Sequence, residues 1–261
     1  MALLHTDFYS ESLGMCMQVD VILPEETHGQ IGMEGKAADT YPTLYLLHGM
    51  SDDQTIWQRR TSIERYAAEK GIAVVMPGVH LSWYTDMKLG FRYWTYVSEE
   101  LPRLCRMMFP RMSKRREDTF VAGLSMGGYG AMKCALRASD TFSCAASLSG
   151  ALDIVSHLEG QPESGLFYDI FGTSEETKGS FNDLFAAASE LKESGKPLPK
   201  LYIWCGTEDF LYGHNVRMRA HLEKLGYDLT YEESSGDHQW KYWDAKIQTV
   251  LDWLPLGKEE A

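Results

Sequence analysis

Residues 119–138 constrain the fold of this chain more than any other segment. An apolar, β-prone run from Thr119 to Ala122 leads into Gly123-Leu124-Ser125-Met126-Gly127, and small residues at helical spacing follow. A G-x-S-x-G sequence between a strand and a helix is typical of a nucleophile elbow. Its turn is so tight that the residues two before and two after the serine must lack bulk. The alternative is a glycine-rich turn in some other α/β fold, so the rest of the chain must decide.

Apolar runs alternate with longer helical patterns along the 261 residues. This alternation predicts one α/β domain over residues 1–261, with a mostly parallel central sheet and helices on both faces. The first predicted strand alternates polar and apolar residues, as an antiparallel edge hairpin would. The predicted strands are Met15 to Leu23, Thr43 to His48, Ile72 to Met76, Thr119 to Gly123, Cys144 to Leu148, Leu201 to Cys205 and Leu229 to Glu233. The predicted helices lie near Ile56 to Lys70, Trp94 to Phe109, Gly130 to Ala138, Val216 to Leu225 and Trp240 to Leu251.

The segment from about Asp153 to Pro199 breaks this rhythm. It mixes Gly, Ser, Glu and Lys with aromatic residues and has one short helical pattern, around Leu184 to Lys192. We interpret residues 153–199 as an insertion or cap over the carboxyl edge of the sheet, where open α/β folds bind ligands. The alternative is a surface excursion with no part in binding.

Charge and composition exclude several classes of function. The formal net charge of −12 and the absence of a basic stripe argue against a nucleic-acid partner. The first residues lack the charged and apolar regions of a secretory signal, and no apolar run has the length of a membrane span. Five widely spaced cysteines in apolar segments are typical of free thiols in a reducing compartment. We therefore expect a cytoplasmic protein without a membrane partner; a homo-oligomer stays open.

A serine hydroxyl is a poor nucleophile near neutral pH, so Ser125 needs a base, and the base needs an orienting acid. Hydrolases with such an elbow place the acid and then the histidine after later strands. Asp209 follows the strand Leu201 to Cys205, and His238 lies between the last strand and the last helix. The sequence thus predicts a catalytic triad of Ser125, Asp209 and His238.

The assignment of Asp209 as the acid has one alternative role and two rival carboxylates. Asp209 could instead cap a helix or a turn, Glu208 is its direct neighbour, and Asp153 follows the preceding strand. Capping alone would not explain the position of Asp209 in the chain order, which favours it as the acid.

An oxyanion hole needs two backbone N–H groups that point at one atom. The residue after the nucleophile, Met126, supplies one of them in such folds. The loop His48-Gly49-Met50-Ser51 follows a predicted strand, and we expect Met50 to supply the second, although a shift of one position is open. His48 is expected to brace this loop.

Aromatic residues are frequent near the predicted site, and among them Trp83 and Trp240 are candidate substrate contacts. The alternative is that they belong to the core, as most aromatic residues do. The sequence shows no clustered metal ligands, no P-loop and no dinucleotide fingerprint, so we predict no metal and no cofactor.

Several motifs together resemble the esterase D family, and within it most closely the bacterial tributyrin (acetyl) esterases. They span nearly the whole chain in the family's order, with least correspondence in residues 153–199. The matching stretches are Tyr9 to Met15, Leu44 to Met50, Trp83 to Asp86, Gly123 to Ala131, Cys205 to Tyr212 and His238 to Trp243.

The resemblance implies an α/β-hydrolase fold, a carboxylesterase acting on small-molecule esters, and a triad at Ser125, Asp209 and His238. We expect acetyl or butyryl esters as substrates, cleaved through an acyl-enzyme. The family also includes S-formylglutathione hydrolases, feruloyl and acetylxylan esterases and mycolyltransferases, so other esters, thioesters and acyl transfer are alternatives. A non-catalytic hydrolase fold that only binds a partner is a further one.

Overall fold

The described part of the chain, residues 1–29, 31 and 38–256 of a computed structural model, contains one eight-stranded sheet. The strands are β1 (Ala2–Ser10), β2 (Met15–Leu23), β3 (Thr43–Leu47), β4 (Ala73–Pro77), β5 (Thr119–Leu124), β6 (Cys144–Leu148), β7 (Lys200–Gly206) and β8 (Leu229–Ser234). Their spatial order is β1-β2-β4-β3-β5-β6-β7-β8. The six strands β3 to β8 run parallel to one another, and β1 and β2 form an antiparallel hairpin at one edge. This is an α/β fold of the α/β-hydrolase type, as the sequence predicted.

The helices pack on both faces of this sheet. They are α1 (Ile56–Arg60), α2 (Ile63–Lys70), α3 (Tyr93–Thr95), α4 (Leu101–Met108), α5 (Met126–Arg137), α6 (Ile154–Leu158), α7 (Leu166–Phe171), α8 (Ser174–Thr177), α9 (Leu184–Ser194), α10 (Tyr212–Leu225) and α11 (Trp240–Trp253). A π-helical turn (Tyr96–Glu100) joins α3 to α4, and a 3₁₀ turn (Arg116–Asp118) precedes β5. Every described helix is too short or too polar to span a bilayer.

Alternation along the central strands divides the apolar core into two layers. In β3, Tyr45 and Leu47 face the layer that contains α5, α9 and α10. Leu44 and Leu46 face the layer that contains α1, α2 and α11. Since successive side chains of a strand point to opposite faces, a continuous apolar run is what a sheet covered on both sides requires.

The seven predicted strands lie within one residue of the observed ones, but β1 was not predicted. Its residues alternate between partly buried and exposed, and it pairs with β2 along the full length of both strands. An edge strand that buries only one face carries a weak apolar signal, which is why the sequence pattern missed it.

Four predicted helices differ from the observed ones, and one of them, α10, begins at Tyr212, four residues before its predicted start. The pattern over 56–70 is two helices, because the hydroxyl of Thr61 bonds to the Trp57 carbonyl and accepts from the Ile63 N–H, which interrupts the backbone ladder. The pattern over 94–109 is divided by the π-helical turn, and Pro102 lies in the first turn of α4. The fourth, α5, begins four residues earlier than predicted, because the low helix propensity of its glycines hides its start.

Residues 153–199 form most of the connection between β6 and β7. The predicted helix is present as α9, which packs against α5 and α10. Three short helices, α6 to α8, precede it and were not predicted. The part of this connection that contains α7 contacts the loop after β4, where Phe167 and Phe171 pack on Trp83. Its action as a cap stays a prediction.

A fully buried lysine fastens this connection to α5. The Lys133 ammonium donates to Asn182 Oδ1 at 2.7 Å and Thr85 Oγ1 at 3.0 Å, and it lies 5.1 Å from the ring centroid of Trp94. Among the described residues no carboxylate forms an ion pair with it. Burial lowers the pKa of Lys133 to about 7.

This lysine makes stability depend on pH. Between pH 7 and 8.5 the folded state loses the proton of Lys133 while the unfolded state keeps it. The free energy of unfolding therefore rises with pH, by at most about 1.4 kcal/mol per pH unit from this group. We expect Lys133→Met to remove that slope in urea titrations at pH 7.0, 7.75 and 8.5. The exposed Lys224→Met is the control; a slope unchanged in Lys133→Met would contradict the expectation.

Candidate active site

The turn between β5 and α5 holds Ser125 in strained backbone geometry. Its φ is 53° and its ψ −118°, a region that residues with a side chain rarely adopt. The Ser125 N–H donates to the Leu148 carbonyl at 3.0 Å, and its own carbonyl accepts from the Ala151 N–H at 3.2 Å. The strand next to the elbow thus fixes this conformation from both sides of the serine.

The two glycines of the motif allow the close approach that the turn requires. A Cβ on Gly123 would lie 2.3 Å from the Gly127 carbonyl oxygen. A Cβ on Gly127 would lie 2.5 Å from the Leu47 carbonyl oxygen at the end of β3. Neither space admits a methyl group, in agreement with the bulk constraint inferred from the sequence.

Side chains from three loops meet at the carboxyl edge of the sheet. His238, between β8 and α11, has its Nδ1 2.8 Å from Oδ2 of Asp209, which follows β7. Its Nε2 lies 3.0 Å from Oγ of Ser125. The structure therefore brings Ser125, His238 and Asp209 together in one hydrogen-bonded line.

The environment of Asp209 keeps its carboxylate ionised. Burial works to raise the pKa of Asp209, but the hydrogen bonds from His238 and from the Leu211 N–H outweigh it and hold that pKa below its ordinary value. An ionised acceptor keeps a proton on Nδ1 of His238. Nε2 is then free to accept the proton of the Ser125 hydroxyl.

The two rival acids lie elsewhere. Asp153 caps α6 through the Ser156 N–H and pairs with Arg217 at 2.6 Å. The Glu208 carboxylate accepts from the Gly236 N–H, and no hydrogen bond joins it to His238 in the described residues.

Backbone contacts join the loop of Asp209 to the loop of His238. The Thr207 N–H donates to the Ser234 carbonyl at 2.9 Å, and the Glu208 N–H donates to the Gly236 carbonyl at 3.1 Å. The Gly236 N–H returns a hydrogen bond to the Glu208 carboxylate, which lowers the pKa of Glu208. We call these three hydrogen bonds the loop clasp.

The loop after β3 lies beside the elbow. A Cβ on Gly49 would be 3.7 Å from the Ser125 Cβ. His48 accepts from the Val79 N–H through Nε2 at 3.0 Å, so its Nδ1, 2.8 Å from the Gly49 carbonyl, carries the proton and donates. Burial lowers the pKa of His48 to about 4, so the ring is neutral and braces the loop. Because the Gly49–Met50 peptide is trans, its N–H points away from the His48 ring.

Among the described residues, neither of the two candidate substrate contacts has a ring contact with His238. Trp83 is only 3% exposed and packs against Tyr129, His157 and the phenylalanines of α7. Trp240 packs on Trp57 and Trp243, at 5.1 and 5.4 Å between ring centroids. Their role as substrate contacts stays a prediction.

The aromatic rings that contact His238 are Trp243 and Phe210, at 4.8 and 4.6 Å between ring centroids. Phe210 directly follows Asp209, and Trp243 lies one helical turn after Trp240. Neither residue is among the predicted substrate contacts, and only their positions beside Asp209 and Trp240 could have pointed to them. Among the described residues no three His, Cys, Asp or Glu side chains are grouped to hold a metal ion.

Comparison with known proteins agrees with this architecture. Residues 10–254 match the model of the family described as "Putative esterase". The chain belongs to the esterase family. It is 31% identical to an acetyl esterase of Caldicellulosiruptor saccharolyticus, over 97% of this chain and 98% of the relative. This confirms the resemblance seen in the sequence.

Two solved structures from Staphylococcus aureus are also similar, each 35% identical over 97% of this chain and 98% of the other. One is fluorophosphonate-binding serine hydrolase F with substrate bound, at a TM-score of 0.87. The other is an S-formylglutathione hydrolase, at a TM-score of 0.84. The protein is a carboxylic ester hydrolase of the esterase family.

The loop clasp predicts an effect of Glu208 on ester hydrolysis. We expect Glu208→Ala to lower kcat about tenfold with KM nearly unchanged, because the loop that carries His238 loses an anchor. Glu208→Gln keeps a carbonyl oxygen that can accept from the Gly236 N–H, and it should retain most of kcat. Initial rates on an aryl acetate test this. Wild-type kcat in Glu208→Ala, or equal losses in both variants, would contradict it.

Proposed function

We propose that the protein is a serine esterase that cleaves short-chain acyl esters through an acyl-enzyme, with Ser125, His238 and Asp209 as its catalytic triad. The observation that carries the proposal is the hydrogen-bonded line from Asp209 Oδ2 through the imidazole to Ser125 Oγ, with links of 2.8 and 3.0 Å. Nucleophile, base and orienting acid are then all within hydrogen-bond reach.

In the acylation step, His238 Nε2 takes the hydroxyl proton as Ser125 Oγ attacks the ester carbonyl. The buried Asp209 carboxylate stabilises the imidazolium that forms. When the tetrahedral intermediate collapses, Nε2 returns the proton to the leaving alcohol and the acyl group stays on Ser125. Water, activated by the same imidazole, then releases the acid and regenerates the serine.

The backbone N–H groups of Met126 and Met50 are proposed to hold the oxyanion. Met126 is the first residue of α5, where an N–H has no acceptor within its own helix, and the helix dipole favours negative charge there. On the other side of Ser125, the Gly49 carbonyl accepts from the His48 ring, so the N–H of Met50 points away from that ring. Met50 directly follows Gly49, which lies against Ser125. Together these features support two converging donors.

Two observations support a short acyl chain. The acetyl esterase of Caldicellulosiruptor saccharolyticus is similar over nearly the whole length of both chains. In addition, Tyr129, one helical turn after Ser125, packs against Trp83 and Phe171, so that a cluster of large aromatic side chains lies along the first turn of α5. A small acyl group fits such a boundary better than a long one.

A thioester is the second candidate substrate. The similarity to the Staphylococcus aureus S-formylglutathione hydrolase supports it, because the same triad chemistry cleaves esters and thioesters. The feruloyl and acetylxylan alternatives rest on the family resemblance alone.

Ser125→Ala should lower kcat on the order of a million-fold, because the nucleophile is lost. Wild-type protein should react with a fluorophosphonate probe, the variant should not, and Ser189→Ala, a hydroxyl in α9, should behave as wild type. A residual rate above about a hundredth of wild type would overturn the triad.

The acyl preference is tested with aryl esters of acetate, butyrate and octanoate, beside methyl ferulate and S-formylglutathione. We expect the acetyl or butyryl ester to have the highest kcat/KM, because the aromatic side chains near Ser125 leave room for a small acyl group. The Ser125→Ala variant is the control for enzyme-independent hydrolysis. Dominance of the octanoyl ester, the ferulate or the thioester would overturn the substrate but keep the triad.

A further inference from the structure

One phenyl ring at the site is exposed where apolar side chains are usually covered. Phe210 is 73% exposed, yet its ring lies 4.6 Å from the His238 ring at an angle of 49°. The other ring that contacts the imidazole is Trp243, which is 4% exposed and whose indole N–H is bonded to the Ser149 hydroxyl at 3.2 Å. The base therefore has one buried aromatic neighbour and one exposed neighbour.

The proposed reaction places the leaving alcohol near this exposed ring. His238 Nε2 must deliver a proton to the alcohol oxygen, so that oxygen sits on the imidazole side of Ser125. The acyl carbonyl oxygen sits on the opposite side, at Met126 and the loop after β3. The alcohol group is thus the part of the ester that comes close to Phe210.

The charges near this position are acidic. Asp237 directly precedes His238 in the chain, and the Glu208 carboxylate is bonded to the same loop through Gly236. Carboxylates at this position repel an anionic leaving group, such as a thiol that carries free carboxylates. An uncharged apolar alcohol meets no such repulsion, and it removes the Phe210 ring from water.

We propose that Phe210 binds the alcohol moiety and that the preferred ester carries an apolar aryl or arylalkyl alcohol. This inference rests on the proposed function and names the substrate class of its leaving-group side. Phe210 then determines specificity without taking part in proton transfer.

The test holds the acyl group constant and changes only the alcohol. Benzyl acetate and ethyl acetate both release a simple primary alcohol, so their difference reports mainly on the contact made by the alcohol. Phe210→Ala should lower kcat/KM for benzyl acetate about tenfold, mainly through KM, and for ethyl acetate less than about twofold. Phe210→Leu keeps an apolar side chain, so its kcat/KM for benzyl acetate should lie between those of the wild type and Phe210→Ala.

Phe181→Ala is the matched control, since Phe181 is likewise an exposed phenylalanine (48%) but lies against Arg137, at the far end of α5 from Ser125. It should leave the ratio of the two esters unchanged. Equal losses on both esters in Phe210→Ala would mean that the ring only shields the imidazole, and would overturn the proposal. The proposal would also be overturned if the ratio of kcat/KM for the two esters stayed the same in Phe210→Ala, or if the wild-type enzyme did not prefer benzyl acetate.

Failure of this inference is distinguishable from failure of the proposed function. If Ser125→Ala keeps its activity, the triad is wrong whatever Phe210 does. If Ser125→Ala is inactive and the ratio of benzyl to ethyl acetate does not depend on residue 210, only the alcohol class is wrong.

Discussion

The contact between the Gly123–Gly127 turn and the end of β3 is the constraint on which the site depends. With a Cβ on Gly127 only 2.5 Å from the Leu47 carbonyl, the elbow can pack this closely on the sheet only while position 127 is a glycine. Because β3 also leads into the loop of His48 and Met50, the same contact fixes that loop relative to Ser125. The same packing therefore positions both the proposed nucleophile and the proposed oxyanion donors.

Backbone strain in the described residues is confined to the same edge of the sheet. The non-glycine residues with positive φ are Ser51, His80, Trp83, Tyr84, Ser125 and Ser149, and each follows β3, β4, β5 or β6. Such conformations persist only where the surroundings over-determine them. Here buried strands on both sides of the elbow supply that support, and the Tyr84 hydroxyl donates to the His48 carbonyl at 2.8 Å, which ties two strained loops together.

The sequence predicted what depends on local pattern and chain order. Buried parallel strands are continuous apolar runs, and the order of serine, acid and histidine selected three side chains that lie in one hydrogen-bonded line. What it missed depends on contacts between distant segments. The pairing partner of β2, the buried Lys133 and the two rings that contact His238 carry little signal of their own. The sequence predicted Trp240 as a substrate contact, but it does not show which face of α11 meets the imidazole, and the residue that does so is Trp243.

The two aromatic rings that contact His238 differ in burial, and each meets a different requirement of the proposed reaction. In the proposed mechanism His238 accepts and returns a proton, which requires a fixed ring, and Trp243 holds that ring from the core, where its indole N–H is already bonded to Ser149. The proposed product must also leave into water, so one side of the imidazole's surroundings has to stay open. Phe210 occupies that side at 73% exposure. If Phe210 binds the alcohol as proposed, substitutions there change the alcohol preference without disturbing the buried side, whereas substitutions at Trp243 alter the packing of the imidazole itself. The proposal thus separates a residue that can vary with the substrate from one that positions His238.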